Sequence, residues 1–443
     1  MQKLQHFSIY IIILLYLVAG ILYAVYTPRW QAPDEPAHYN YVRQLAAGDF
    51  PVIETGDWDQ DYLGTVVSSR FDPQYDVEPI EYEDWQPPLY YLLQTPIFWL
   101  TGGSLTAMRL FSVLLGAGAI YLAYATVRKL FPEQWWVAAT TAVFIAFLPQ
   151  HLAMLASINN DSLAELLIAA ILFVLVGLLE IGDWRSEIAR RRFVLLGTLL
   201  GLGFLTKAFV YLMAPVIALV LVWRHRANYR AIWQTGTLIF VPAMLLGAIW
   251  WVRNVVVYGG VDVMATAAHD SVVVGQPRTA EWVAQYGLDG TLQRFFQTTF
   301  NSFWGQFGWM AVPMPQWVYQ PLLLLTGLVV IGLLVYWFVG LLESSKLTHR
   351  KSPIPNLLLI PTFLLTLALY LGYNLTFVQH QGRYLFPALI PIGVGVALGL
   401  GMWIRPFANR WPIFYQLLPL GLGLALYALD LFALFRFIIP NLS

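Results

Sequence analysis

The chain has 443 residues, 58% hydrophobic and only 11% charged, where a soluble domain carries roughly 45 to 50% apolar and about 25% charged residues. That deficit of charge excludes an ordinary soluble fold, and a net charge of zero removes the basic field on which a nucleic-acid binder relies. With no cysteine in the chain, disulfides, thiolate metal sites and cysteine nucleophiles are excluded as well.

In chain order, apolar runs predict an all-α polytopic membrane protein, a single transmembrane domain over residues 1–443 with about eleven spans. The spans are expected at 7–26, 106–127, 134–150, 163–181, 193–206, 208–223, 232–250, 319–341, 355–377, 384–404 and 413–436. The first follows Lys3, and its run is too long for a signal-peptide core, so it reads as a retained helix. Threading the spans alternately puts Arg128, Lys129, Arg185, Arg190, Arg191, Arg192, Arg224, Arg226, Arg230, Lys346, Arg350, Lys351, Arg405 and Arg410 on the side of Lys3. The positive-inside rule makes that side cytoplasmic.

Two long segments fall on the opposite side. Residues 27–105 hold thirteen of the 25 acidic residues, from Asp34 to Asp84, whereas 251–318 are rich in aromatics, including Trp282, Phe303, Trp304 and Trp309. Such aromatics read first as an interfacial belt, and second as a stacking surface for a sugar or a lipid groove. Residues 88–101 are apolar, too short to span, and contain Pro96, so they are expected along the interface. Spans 193–206 and 208–223 rise only about 21 and 24 Å, which sets the turn at Lys207 below the outer surface.

The chemistry-bearing residues gather at these outer ends. A short helix begins at Asp34, carries Pro36 in its first turn, presents a stripe of Tyr39, Val42, Leu45 and Ala46, and stops at Gly48. Asp34 is either the cap of that helix or a carboxylate held where it can take a proton from a hydroxyl. Glu81, Glu83 and Asp84 form a second acidic group that could fold back toward Asp34, although Glu81 and Glu83 read first as a solvated loop. Lys207, Arg253 and Arg383 are the cations near the outer ends, where ionisable groups usually serve a pathway or an anion. Snorkelling from a helix end is the plain alternative for Arg253 and Arg383.

Asp34-Glu35 after the first span, Pro87-Pro88-Leu89-Tyr90-Tyr91 before the second, Arg109-Leu110 at its entry and Gly203-Phe204-Leu205-Thr206-Lys207 resemble the GT-C type polytopic membrane glycosyltransferases. The chain is similar to protein O-mannosyltransferases and the lipid A aminoarabinose transferase. Ser302 to Trp309 and Gln381 to Pro387 resemble a bacterial branch of these proteins. The resemblance implies inverting transfer of a sugar from a polyprenyl-phosphate donor to a hydroxyl acceptor on a glycan, lipid or protein, outside the cytoplasmic membrane. It implies Asp34 as general base, with Glu35 and Asp84 supporting the site and Lys207, Arg253 and Arg383 at the donor phosphate. His38, Tyr39, Tyr90 and Trp304 would line the substrate. A divalent metal serves related oligosaccharyltransferases, and here only His38 beside acidic residues hints at one. Aminoarabinose transferases have lysine before the two prolines where this chain has Gln86, which shifts phosphate binding onto the other cations. A transporter or flippase of lipid-linked intermediates, or a non-catalytic scaffold, would use the same charges differently.

Overall fold

A computed structural model of the chain describes residues 2–226, 228–344, 353–408 and 410–443. Lys346, Arg350 and Lys351 of the expected inner-side cluster lie outside the described residues. The first helix is α1 (Gln2–Tyr26), and the acidic segment that follows folds into α2 (Glu35–Ala47), α3 (Gln60–Ser68) and α4 (Leu89–Thr101). The bundle continues through α5 (Leu105–Leu130), α6 (Trp135–Ala146), α7 (Pro149–Leu155), α8 (Asp161–Leu179) and α9 (Glu187–Phe204). After a 3₁₀ turn, Ala208–Leu212, come α10 (Met213–His225) and α11 (Tyr229–Tyr258). The aromatic segment is mostly helical, as α12 (Thr266–Val272) and α13 (Thr279–Trp304), closed by a two-residue-per-strand hairpin of β1 (Gln306–Phe307) and β2 (Val312–Pro313). The chain ends with α14 (Gln316–Ser344), α15 (Ile354–Thr376), α16 (Leu389–Ala408), α17 (Ile413–Ala433) and α18 (Ile439–Leu442).

Among the described residues nine helices are long and apolar enough to cross a membrane, or ten if the bent pair α6 and α7 counts as one span. Two of the eleven expected segments account for the difference. The run 134–150 breaks before Pro149, where the axis turns by 65°, because the residue preceding a proline leaves the helical region. The run 193–206 lies in α9, whose first turns carry Glu187 and Arg190 to Arg192.

α6 is buried on every side from Trp136 to Ala146, as a helix without a polar face must be, and α1, α5, α16 and α17 surround it. α14 meets α16 where Gly332 and Gly399 face each other. A Cβ on Gly332 would stand 2.1 Å from the Gly399 carbonyl oxygen, so only glycine allows this approach.

A second, smaller core underlies the segment between α1 and α5, built from Tyr41, Val66, Phe71, Ile80, Tyr90 and Tyr91. The segment is therefore a folded cap on the bundle. α2 buries Glu35, Ala37, His38, Asn40, Tyr41 and Val42, leaving Tyr39, Leu45 and Ala46 only partly covered, so the expected stripe is displaced toward polar residues. The cause is tertiary, because Asn40 Nδ2 donates to the carbonyls of Val77 (2.7 Å) and Ile80 (2.9 Å). α4 buries Tyr90, Tyr91, Gln94 and Thr95 while Leu92, Leu93, Trp99 and Leu100 are exposed, a division suited to lying along an interface.

Candidate active site

Asp34 occupies the N-cap position of α2, but in a left-handed conformation (φ 67°) and without a capping hydrogen bond. Such a backbone is uncommon for a residue other than glycine, though aspartate is among those that tolerate it, and it concentrates at functional sites. Its effect is to turn the carboxylate away from the helix. Oδ2 accepts from Arg383 Nη2 at 2.6 Å and Oδ1 from the Tyr82 hydroxyl at 2.9 Å. Burial pushes the Asp34 carboxyl up, but the charge of Arg383 and the hydrogen bonds from Arg383 and Tyr82 hold it below the usual carboxylate range. Burial and the Asp34 charge push the Tyr82 phenol up, which keeps it a donor.

Arg383 belongs to a second 3₁₀ turn, Gly382–Ala388. A Cβ on Gly382 would stand 2.5 Å from the Phe303 nitrogen and the Thr299 carbonyl oxygen. Glycine thus lets the turn press against α13, where its N–H donates to Ser302 Oγ at 2.8 Å. The guanidinium reaches Asp34 from that fixed base, and its Nε is buried with no hydrogen-bond partner among the described residues.

His38, one turn into α2, ties this pair to Lys207. Its Nδ1 lies 2.8 Å from the Tyr91 hydroxyl, and Asn160 Nδ2 donates to that hydroxyl at 3.3 Å and to the Thr206 carbonyl at 3.4 Å. The Tyr91 hydroxyl thus bridges Asn160 and the imidazole. Burial first, and then Lys207, push His38 down to about 3, so the ring is neutral. Lys207 itself pairs with Asp161 at the start of α8 and stands one-fifth exposed. Asp34, Asp161, Lys207 and Arg383 thus form two closed ion pairs on either side of a neutral histidine.

The acidic cluster at 81–84 divides. Glu81 pairs with Arg43 at 3.2 Å. Glu83, expected in solvent, has a buried Oε2 without a hydrogen-bond partner, and burial together with the Asp34 charge pushes its carboxyl up to about 8. Asp84 is buried; its Oδ2 accepts from Gln44 Nε2 at 2.6 Å, and burial pushes it up to about 8 as well.

Other expected site residues are engaged elsewhere. Glu35 is fully buried and receives Arg109 through both oxygens (2.7 and 2.6 Å) and the Ile158 N–H at 3.2 Å. Arg109 also donates to the carbonyls of Ala24, Thr27 and Pro28, so the pair fastens α2 to the ends of α1 and α5. Arg253 donates to the Pro51 carbonyl and lies against Phe50, Trp250 and Tyr258, which stations it at the loop and away from the Asp34 pair. Tyr39 donates to Gly103 O at 2.9 Å, Tyr90 is shared by Ser112, Gln94 and the Asn159 N–H, and Trp304 packs on Phe144 in the main core. These three brace helices.

Asp161, Tyr82 and the buried pair His151 Nε2 to Glu165 Oε2 (2.6 Å) escaped the sequence reading. An acid opening an apolar helix was the available signal for Asp161. Tyr82 offered none, since a tyrosine gains its role only from what it faces. Among the described residues no group of three histidines or acids is arranged to hold a metal ion.

The helical bundle has the fold of the GT-C membrane glycosyltransferases. An oligosaccharyltransferase of Archaeoglobus fulgidus, solved with zinc and sulfate, matches 95% of this chain and 52% of its own at a TM-score of 0.55 and 15% identity. The chain belongs to the family described as "Predicted membrane protein (DUF2142)", which matches residues 75–392. Undecaprenyl phosphate-alpha-4-amino-4-deoxy-L-arabinose arabinosyl transferases are similar over half of the chain, that of Yersinia pestis at 24% identity and that of Pectobacterium atrosepticum at 26%. The matched stretch spans only 35% and 36% of those two relatives.

Proposed function

We propose that this protein transfers a sugar from a polyprenyl-phosphate carrier to an acceptor hydroxyl at the extracytoplasmic face of the cytoplasmic membrane. The observation that carries the reading is the Asp34 carboxylate gripped by Arg383 at 2.6 Å, next to a second cation, Lys207, at the outer end of an apolar bundle. The relatives named for undecaprenyl phosphate-linked aminoarabinose support a donor of that class. The distribution of lysine and arginine supports an N-terminus in the cytoplasm.

In the free protein Asp34 is a weak base, because Arg383 stabilises its charge. An arriving phosphodiester competes for the guanidinium, whose unpartnered Nε gives it a further donor. Release from Arg383 raises the basicity of Asp34 as the donor docks. The acceptor oxygen then forms a bond to the anomeric carbon, its proton passes to Asp34, and the bond from that carbon to the phosphate oxygen breaks. The phosphate leaves with the electron pair and needs no acid, while Arg383 and Lys207 stabilise its growing charge.

Purified protein in nanodiscs, given radiolabelled undecaprenyl-phosphate sugars and envelope glycans, lipids or proteins, is expected to move label into one acceptor class. Wild-type protein that leaves every labelled donor intact would overturn the proposal. Movement of the intact labelled lipid across a bilayer would favour the flippase reading instead.

A further inference from the structure

We infer that a hollow in the first outer segment, between residues 56–63 and 79–82, is a subsite for one neutral pyranose ring of the acceptor. This rests on the transfer reading above and names its acceptor as a saccharide. The hollow has a volume of about 270 Å³ and is walled by Trp58, Tyr62 and Tyr82 with the carboxylates of Asp57 and Asp59. That volume is just below the roughly 300 Å³ at which small-molecule pockets begin, so it suits a monosaccharide unit.

The walls are held in place before any ligand arrives. Trp58 Nε1 donates to the Val274 carbonyl at 2.8 Å, so the second outer segment clamps the indole, whose ring meets Tyr82 edge-on at 5.0 Å. Tyr62 donates to the Asp76 carbonyl at 2.7 Å. Asp59 Oδ1 accepts from the N–H groups of Asp61 and Tyr62, and Asp57 Oδ2 from that of Glu54. Among the described residues the second oxygen of each carboxylate has no protein partner and is left to accept from a hydroxyl.

Aromatic walls suit the apolar C–H face of a sugar, and carboxylate oxygens suit its hydroxyls. The lining holds no lysine or arginine, which excludes the donor phosphate and reserves the hollow for the other substrate. Burial, with Glu81 and Glu54 nearby, pushes Asp57 up to about 6. The link to the chemistry is Tyr82, whose ring walls the hollow and whose hydroxyl bonds Asp34. A sugar in the hollow lies one tyrosine from the proposed base.

Saturation-transfer NMR with methyl glycosides of glucose, galactose, mannose and N-acetylglucosamine, added to the full chain in nanodiscs, tests the inference. Ring-proton signals are expected for at least one glycoside in wild type and in Asp34→Asn. Trp58→Ala should lose them, Asp57→Asn should weaken binding at least fivefold, and Trp58→Phe should keep them. Transfer in the radiolabel assay without glycoside signals, or signals indifferent to Trp58→Ala and Asp57→Asn, would overturn the subsite alone. Glycoside binding without any sugar transfer would overturn both the acceptor role and the transfer reading.

Discussion

Arg383 Nη2 donates to Asp34 Oδ2 at 2.6 Å across 349 residues of chain, and no other ion pair of Asp34 is present among the described residues. The pair joins the opening of α2 to the turn before α16, so the proposed base and the proposed phosphate ligand neutralise each other until a donor separates them. Asp34→Asn should therefore lower transfer by about 10² to 10⁴ fold with unchanged protein level, measured as initial rate in nanodiscs. A purified Asp34→Asn protein with full activity would remove Asp34 from the chemistry.

Lys207 stands opposite, paired with Asp161 and joined to His38 through Thr206, Asn160 and Tyr91. Lys207→Ala should raise the donor KM about tenfold, the loss of one charge-assisted contact of about 1.5 kcal/mol. Equal donor KM values in the two proteins would take Lys207 out of donor binding.

Glu35 and Arg109 are both fully buried and bound to each other through two hydrogen bonds. Removing one partner leaves an uncompensated buried charge, costing about 3 to 5 kcal/mol. Glu35→Ala is expected to lower the melting temperature and the yield of folded protein sharply, and more than Asp34→Asn, which keeps an accepting oxygen at a partly exposed position. A Glu35→Ala protein that melts like wild type but fails to transfer would give Glu35 a part in the reaction itself.

Glu83 and Asp84 lie outside the spans and are both pushed up to about 8, from 4.5 and 3.8. Both are neutral in the folded cap below that pH, whereas the unfolded chain ionises them near pH 4, so folding binds protons. Their contribution is complete below pH 4 and is lost as pH rises through 8. Asp34 has the opposite sign, its contribution present above 3.8 and lost only in acid, so it adds no slope between pH 5 and 9. The melting temperature should fall across that interval, and Glu83→Gln with Asp84→Asn should flatten the decline. A profile that rises toward pH 9 would contradict the burial of these two acids.

Much of the framework was legible because the bilayer is a strict solvent. Spans such as α1, α5, α8 and α14 announce themselves through twenty or so apolar residues that only hydrocarbon accommodates. The break at Pro149 was less visible, since an apolar run reads the same on either side of a bend. Asp34, Lys207 and Arg383 stood out singly because a charge beside an apolar run is costly and so has a reason to be there. Their pairing did not, because it joins residues 46 apart for Lys207 and Asp161, and 349 apart for Arg383 and Asp34.

By itself the sequence determined that the chain crosses a membrane many times, and that its acids gather in one segment between spans. Both follow from local composition, which partitions between water and hydrocarbon without reference to the rest of the chain. Only the tertiary structure decided that neighbouring Asp34 and Glu35 part company, one to Arg383 and the other to Arg109. Only it buried Glu83, stationed Arg253 away from the Asp34 pair, and set Tyr82 between a carboxylate and a hollow. Those choices depend on which distant side chains the packed bundle brings within 3 Å, and no local property of the sequence carries that distance.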